Sequence, residues 1–338
     1  MRFGLFGSAQ ARRGEDDPAR DFRDYVDMNV EAEALGFHST FLVEHHFTGI
    51  GQVSASLDLL AWVAARTTTL RLGTAVIVLP WHNPVVLAER AATLDLMSGG
   101  RLDFGCGRGY RHSEFAGFCM AYEEAEARFE EALAVIVKAW TSDARFSHDG
   151  KFWQYADVLV EPPTAQKPHP PIWIAAGNPD SIRKVAARGC NLLLDQFATT
   201  EGIGERLALF RAEVEARGRA FDPMDVAVAR NIYVAHDAAE AQAALTRQAQ
   251  AHARMVALSQ RPDQQNKSHI MAYAGAPGAT EASALYDTPD AIAAELEALR
   301  ALGVEYVLLN GGEHTRQTIH RFAAEVMPRI QEAGKPLR

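Results

Sequence analysis

One apolar run, Leu42-Val43-Glu44-His45-His46-Phe47, stops abruptly at a carboxylate and two imidazoles. A second run, Leu102-Asp103-Phe104-Gly105-Cys106-Gly107-Arg108-Gly109, stops at glycines and an arginine. An imidazole with a pKa near its ordinary value of about 6.5 can take or give a proton at neutral pH. A guanidinium is a fixed cation whose fork of N–H donors suits a phosphate. On an extended strand His45 and His46 point to opposite sides, which argues against both holding one metal ion. No other strand end offers a His/Asp/Glu set, and no metal site is expected. His45 is the candidate proton donor or base, with a histidine bonded to backbone at a strand end as the plainer alternative. His46 is assigned to structure or to a subunit contact.

Alternating glycines at 105, 107 and 109 remove side chains and let a flat ring, or another stretch of backbone, come close. Arg108 then stands ready for a phosphate, or else in a surface ion pair beside a bend. Further on, Trp173-Ile174-Ala175-Ala176-Gly177-Asn178 runs into Pro179-Asp180-Ser181. Asn178 fits a helix N-cap and Pro179 the first helical position. Free N–H groups and the dipole of that terminus could hold a phosphate, the dipole being worth roughly 0.3–2 kcal/mol. Ser181 is within reach; Asp180 could compete for the same dipole, and an ordinary capped helix is the alternative. The run Gly73-Thr74-Ala75-Val76-Ile77-Val78-Leu79-Pro80 could form a wall against a planar ligand or be core.

These residues need elements to carry them. Strand-like runs fall at 3–9, 40–45, 71–79, 102–108, 172–177, 191–197, 226–234 and 306–310. Helical patterns lie between them near 19–35, 54–66, 84–97, 123–140, 179–188, 203–217, 238–258 and 289–302, with a last helix near 315–332. Such alternation implies parallel strands joined by crossovers. Eight runs predict a (β/α)8 TIM barrel occupying residues 1–338 as a single domain, with its active site where the strands end. An open doubly wound sheet is the alternative, but the first strand–helix turn lacks GxGxxG. Two stretches break the rhythm. Residues 145–170 predict a small hairpin, with Asp149-Gly150 as its turn between Phe146 and Trp153, then a proline-rich link from Pro162 to Pro171. Residues 259–286 are polar and then Gly/Ala/Pro-rich, which predicts a mobile lid.

The 338 residues carry 34 Lys and Arg against 43 Asp and Glu, a net charge of −9, with 48 % hydrophobic and 23 % charged residues. That is the make-up of a globular protein without the basic face a nucleic-acid groove needs. Cys106, Cys119 and Cys190 form no CxxC pair, which argues against a disulfide framework and for a reducing compartment. No window approaches the roughly 18 apolar residues of a membrane span, so a cytoplasmic protein is expected. Leu57, Leu59, Leu60, Trp62, Val63, Val85, Val86 and Leu87 make the second and third helices apolar enough to pack as a homodimer. A barrel's outer helices also bury one face on the strands, which is the other reading of that pattern.

Taken in order, these pieces resemble the bacterial luciferase-like flavin-dependent monooxygenase superfamily. LVEHHFTGIG resembles the luciferase α-chain stretch with its glutamate and paired histidines. GTAVIVLPWHNPVVLAERAATLDLMSGGRLDFGCGRG resembles the third strand, third helix and fourth strand, and PPIWIAAGNPDSIRKVAARG the phosphate-binding turn. The likeness is strongest over residues 36–115, clear at 168–190 and weaker at 287–332. It implies a barrel that binds FMN, as FMNH2, and reacts it with O2 to a C4a-peroxyflavin that oxygenates a small organic substrate. His45 then matches the histidine proposed for proton transfer. Arg108, Asn178 and Ser181 match phosphate contacts, and Ala75–Val76 a non-proline cis peptide against the flavin. Glu44, Gly109 and Gly177 complete the expected cofactor contacts. Phe6, Trp81, Tyr110, Gln196, Phe197 and Asn231 are candidates for the substrate pocket by strand-end position.

Two departures qualify the likeness. Gly107 stands where the luciferase α chain has a cysteine, and Gly177-Asn178 where it has Glu-Ser, so light emission and an aldehyde substrate do not carry over. No NAD(P)H motif is visible, which favours a separate reductase as the source of FMNH2. The alternatives are hydride exchange with F420, and a non-catalytic flavoprotein or partner subunit. The Glu44-His45-His46 triplet favours FMN over F420, and its presence together with Arg108 counts against a non-catalytic chain.

Overall fold

The computed structural model of the chain describes residues 1–11, 14, 16–259 and 283–332. Its elements are β1 (Arg2–Gly7), α1 (Arg20–Ala34), β2 (Ser39–Leu42), α2 (Ser56–Arg66), β3 (Arg71–Thr74), β4 (Ile77–Val78), α3 (Pro84–Met97), β5 (Leu102–Gly107), α4 (His112–Gly117), α5 (Ala125–Thr141) and β6 (Phe146–Asp149). There follow β7 (Gln154–Val158), β8 (Ile172–Ala175), α6 (Pro179–Arg188), β9 (Asn191–Leu194), α7 (Thr200–Glu215), β10 (Val226–Val234) and α8 (Ala238–Ser259). The last are β11 (Leu285–Asp287), α9 (Pro289–Ala301), β12 (Tyr306–Asn310), α10 (Thr315–Arg321) and α11 (Met327–Glu332).

Strands pair in the order β10-β12-β1-β2-β3-β5-β8-β9, and β9 pairs again with β10, so eight strands close a ring. The ladders are parallel, with Phe3 opposite Val307, Leu72 opposite Leu102 and Val228 opposite both Val307 and Leu194. This is the (β/α)8 barrel, and all eight apolar runs form its strands. Strands buried on both faces read as continuous apolar stretches; every residue of β5 is buried. The exception inside β5 is Asp103, whose carboxylate takes two bonds from Arg71 (2.7 and 2.8 Å) and one from Trp173 Nε1 (3.1 Å).

Two compact units can be distinguished. One comprises Met1–Gly7, Glu31–Ser39 and the chain from Ile174 onward. Its core includes Phe3 edge-on to Phe322 at 4.9 Å, and Ser39 Oγ meets the Tyr306 hydroxyl at 2.5 Å. The other comprises Ser8–Val30 and Thr40–Trp173. There Phe41 fills the space over Gly73, where a Cβ would stand 2.3 Å from the ring, and Trp173 meets Phe41 edge-on at 5.8 Å. Glu44, His45, His46 and His82 all lie in this second unit.

Four expectations change in detail. The strand predicted over 71–79 is interrupted between β3 and β4 by the cis peptide Ala75–Val76. The hairpin turns over residues 150–153 and not at Asp149-Gly150: Asp149 stands opposite Gln154, and Gly150 N–H reaches Trp153 O at 3.0 Å. The reason lies in α5, where the Glu131 carboxylate takes the N–H groups of Phe152 (3.1 Å) and Trp153 (2.9 Å) out of any ladder. The last helix passes through a wide turn at Phe322–Val326 before Pro328, which has no N–H to continue a regular ladder. Of the lid expected at 259–286, residues 260–282 lie outside the described residues, while 285–287 form β11, paired with β10.

Candidate active site

Pairing of β2 ends at Leu42, and Val43 to His46 continue without a ladder partner. One backbone bond, His45 N–H to Val53 O at 3.2 Å, and two buried carboxylates hold them instead. Glu44 is buried, and its Oε1 meets His46 Nε2 at 2.8 Å and His82 Nε2 at 2.7 Å. Its Oε2 accepts the Val78 N–H at 2.9 Å. A second buried carboxylate, Glu114 on α4, meets His45 Nδ1 at 3.0 Å and accepts the His46 N–H at 2.9 Å, both through Oε1. His45 and His46 therefore do diverge, but because two carboxylates separate them and not because a strand alternates.

Glu44 thereby ties the histidine segment to the segment beyond the cis peptide. Thr74 Oγ donates to Gly105 O at 2.7 Å and accepts from Gly105 N–H at 2.9 Å, fixing the start of that segment on β5. Beyond it, Val76 lies on Gly107, where a Cβ would come within 2.7 Å of the valine methyl. Gly109, with φ at 81°, would bring a Cβ to 2.7 Å from Val78 and 3.0 Å from Phe115. The glycine spacing does mark a close approach, and the approaching group is this neighbouring segment. Ala75 and Val76 remain partly exposed between buried Thr74 and Ile77.

Arg108 is half-exposed and pairs with Glu126 at 3.2 Å, the surface ion pair that was its alternative reading. Arg111, three residues on, is buried. Its Nη1 stands 3.9 Å from Glu114 Oε1 and 3.5 Å from Gln52 Oε1, and its Nε meets no acceptor among the described residues. Tyr110 lies under Arg111, 5.7 Å from ring centre to guanidinium, and edge-on to His45 at 6.3 Å. Trp81 packs among His46, Phe115 and Phe118 at 5.2–5.4 Å.

The electrostatics stem from burial. Loss of water pushes the His45 pKa down; the bond to Glu114 opposes this and Arg111 adds to it, leaving the ring below its ordinary 6.5. Burial pushes Glu44 up, but the bonds from His46 and His82, with the Val78 N–H, bring its net position below the ordinary carboxylate value. A neutral imidazole and an acceptor-only carboxylate are the result. Among the described residues no three His, Cys, Asp or Glu side chains are arranged to hold a metal ion.

The remaining candidates lie in the first unit. Asn178 caps α6, its Oδ1 accepting the Ser181 N–H at 2.8 Å with Pro179 first in the helix. One of the N–H groups expected to be free is thus taken. Asp180 is exposed and faces Arg183 at 2.9 Å, not the helix terminus. Phe197 is buried with its N–H on Asp195, Asn231 is buried and bonded to Asn310 at 3.1 Å, and Phe6, Gly177 and Gln196 have intermediate or little exposure.

Sequence reasoning missed His82, Arg111 and Glu114. Only His82 carried a signal, as an imidazole directly before the Asn83-Pro84 helix start. Glu114 stands 69 positions from His45, and nothing local pairs them.

A family model described as luciferase-like monooxygenase matches residues 1–306. The chain is 28 % identical over 247 residues to the oxygenase component of the flavin-dependent trigonelline monooxygenase of Acinetobacter baylyi, covering 72 % of this chain and 68 % of that one. It is 27 % identical over 327 residues to the FMNH(2)-dependent dimethylsulfone monooxygenase of Pseudomonas putida, covering 91 % and 87 %. The crystal structure of monooxygenase RslO1 from Streptomyces bottropensis superimposes with a TM-score of 0.81 at 28 % identity, over 98 % of this chain and all of that one.

Proposed function

Because the chain belongs to the luciferase-like monooxygenase family, we propose that it is the oxygenase of a flavin-dependent monooxygenase, using FMNH2 from a separate reductase and O2 on a small organic substrate. The observation that carries this reading is the single carboxylate of Glu44, which locks the histidine segment to the segment bearing Ala75 and Val76. Proton chemistry and an apolar platform are thereby held in one rigid unit.

The residues fit such a cofactor. Ala75 and Val76 offer a partly exposed apolar surface suited to a flat ring. Arg108 stands between Gly107 and Gly109, on which that segment rests, and exchanging Glu126 for a phosphate keeps it paired. When bound, reduced flavin supplies the electrons that activate O2. The chain's part is to bind, to exclude water and to handle a proton. His45, neutral and held through Nδ1, keeps Nε2 for that proton. The ring cluster of Trp81, Phe115 and Phe118 closes one flank of the histidine segment with apolar surface, which limits water there.

A homodimer is part of the proposal. Leu57, Leu59, Leu60, Val63 and Leu87 are buried within the subunit, so most of the apolar pattern of α2 and α3 belongs to the barrel. Trp62, Val86 and Met97 stay exposed, and Val86, Arg90, Thr93 and Met97 share one face of α3. Arg90 reaches Asp58 on α2 at 2.5 Å, which joins that face to the one carrying Trp62.

The test is spectroscopic. The purified chain is titrated with FMN, riboflavin and F420, then given FMNH2 and oxygen with a panel of organic substrates. Oxygen uptake coupled to product formation supports the proposal. Reduction of F420 by an alcohol, with no response to FMNH2, replaces it by hydride transfer. Silence toward both cofactors leaves a non-catalytic partner subunit.

A further inference from the structure

We propose that Glu114 and Arg111 form a positioning pair that presents His45 as a neutral base with its proton on Nδ1 and its lone pair on Nε2. The inference rests on the reading of His45 as the group that moves a proton, and it adds the residues that decide in which form it does so.

The geometry is specific. Glu114 Oε1 takes the His46 backbone N–H at 2.9 Å, which fixes the carboxylate in place before the imidazole is considered. The same oxygen then meets His45 Nδ1 at 3.0 Å. A carboxylate has only acceptors, so Nδ1 must be the protonated nitrogen and Nε2 the free one. His46 and His82 are held the other way, through Nε2 on Glu44. Among the described residues, His45 alone of the three imidazoles keeps Nε2 free of a carboxylate.

A buried carboxylate on its own would also favour the doubly protonated ring, which is useless as a base. Arg111 counters that. It is almost fully buried, stands 3.9 Å from the same Glu114 oxygen, and its Nε has no acceptor among the described residues. The groups that face His45 are Glu114 and Arg111, the neighbouring Glu44, which is itself tied to two histidines, and the Tyr110 ring. Glu114 raises the affinity of His45 for a second proton and Arg111 lowers it. Orientation comes from the carboxylate and neutrality from the guanidinium together with burial.

The experiment is a histidine titration by NMR on the full chain without flavin, with ring-nitrogen shifts read above the His45 pKa. In the wild type the proton should sit on Nδ1 of His45. Glu114→Gln should move the His45 pKa further down, and Arg111→Met should move it up, while Arg111→Lys stays near the wild type. Mere loosening of the site would raise the value toward that of a free imidazole in every variant, so a downward shift in Glu114→Gln is the decisive sign. An unchanged or raised value there, or a wild-type proton on Nε2, overturns the proposal. Should Glu114→Gln fail to fold, the contrast between Arg111→Met and Arg111→Lys decides: no difference refutes it. Because no flavin is present, the pair can be established even if FMNH2-dependent oxygenation is never found. Conversely, loss of oxygenation in His45→Ala with no shift in Glu114→Gln would keep the function and remove the pair.

Discussion

Glu44 is the residue whose alteration tests the site's construction most directly. Its two oxygens accept three bonds, from His46 (2.8 Å), His82 (2.7 Å) and the Val78 N–H (2.9 Å), and it is 2 % exposed. Glu44→Gln keeps the shape and replaces one oxygen by an NH2. If the amide oxygen stays with the histidines, the NH2 confronts the Val78 N–H, and a buried donor without an acceptor costs roughly 1–3 kcal/mol. The two histidine bonds lose their charge assistance, about 1 kcal/mol each. Turning the amide round strands two donors in place of one. The expected loss is therefore roughly 3–5 kcal/mol, read as a shift of the urea midpoint at constant slope at pH 7. The pH dependence has a definite sign. Glu44 titrates below its ordinary 4.5 in the folded protein, so its contribution is complete above that value and disappears as the pH falls through the lower folded value. The gap between wild type and Glu44→Gln should narrow on acidification below 4.5. A variant within about 0.5 kcal/mol of wild type at pH 7, as for an ordinary surface change, would falsify the view that Glu44 anchors this unit.

Four further perturbations test the remaining roles. His45→Ala should slow FMNH2-supported oxygenation while FMN titrates with nearly the wild-type Kd; unchanged turnover removes His45 from the reaction. Arg108→Ala should weaken FMN by roughly 10–100-fold, the worth of one charge-assisted bond, and riboflavin hardly at all. Ser181→Ala, measured with the same two ligands, tests the start of α6 separately, and equal weakening of FMN and riboflavin places either residue away from the phosphate. Trp62→Glu combined with Val86→Glu should yield a monomer by sedimentation equilibrium, and an unaltered mass would assign those exposed side chains another role.

Legibility in the sequence divides along a physical line. The eight strands were legible because burial on both faces leaves an apolar run that needs no partner to be recognised. Their ends were not. β2 stops at Leu42 and not at His45, because beyond it the chain is held by Glu44, by Glu114 and by a single backbone bond from His45 to Val53, not by a neighbouring strand. The spacing of Gly107 and Gly109 announced a close approach, but Val76, Val78 and Phe115 could be identified as the occupants only in three dimensions. The cis peptide at 75–76 was anticipated by resemblance and not by any local rule. The Asp149-Gly150 turn misled because a carboxylate on a distant helix, Glu131, outweighs a two-residue preference by taking two backbone donors.

His45 and His46 show why residue type alone could not settle the site. The two are identical in chemistry and adjacent in sequence, and both are bound by buried carboxylates. What separates them is which ring nitrogen is engaged. Glu44 holds His46 by Nε2, in the company of His82 and among aromatic rings, and that imidazole serves as a strut. Glu114 holds His45 by Nδ1, leaving Nε2 without a carboxylate among the described residues. On the proposed reading, the function of this segment therefore resides less in its histidines than in the placement of two glutamates, one beside them in the chain and one on α4. Any chain that keeps the histidine pair but lacks an acceptor at the second position should fold around the first and lose a fixed base.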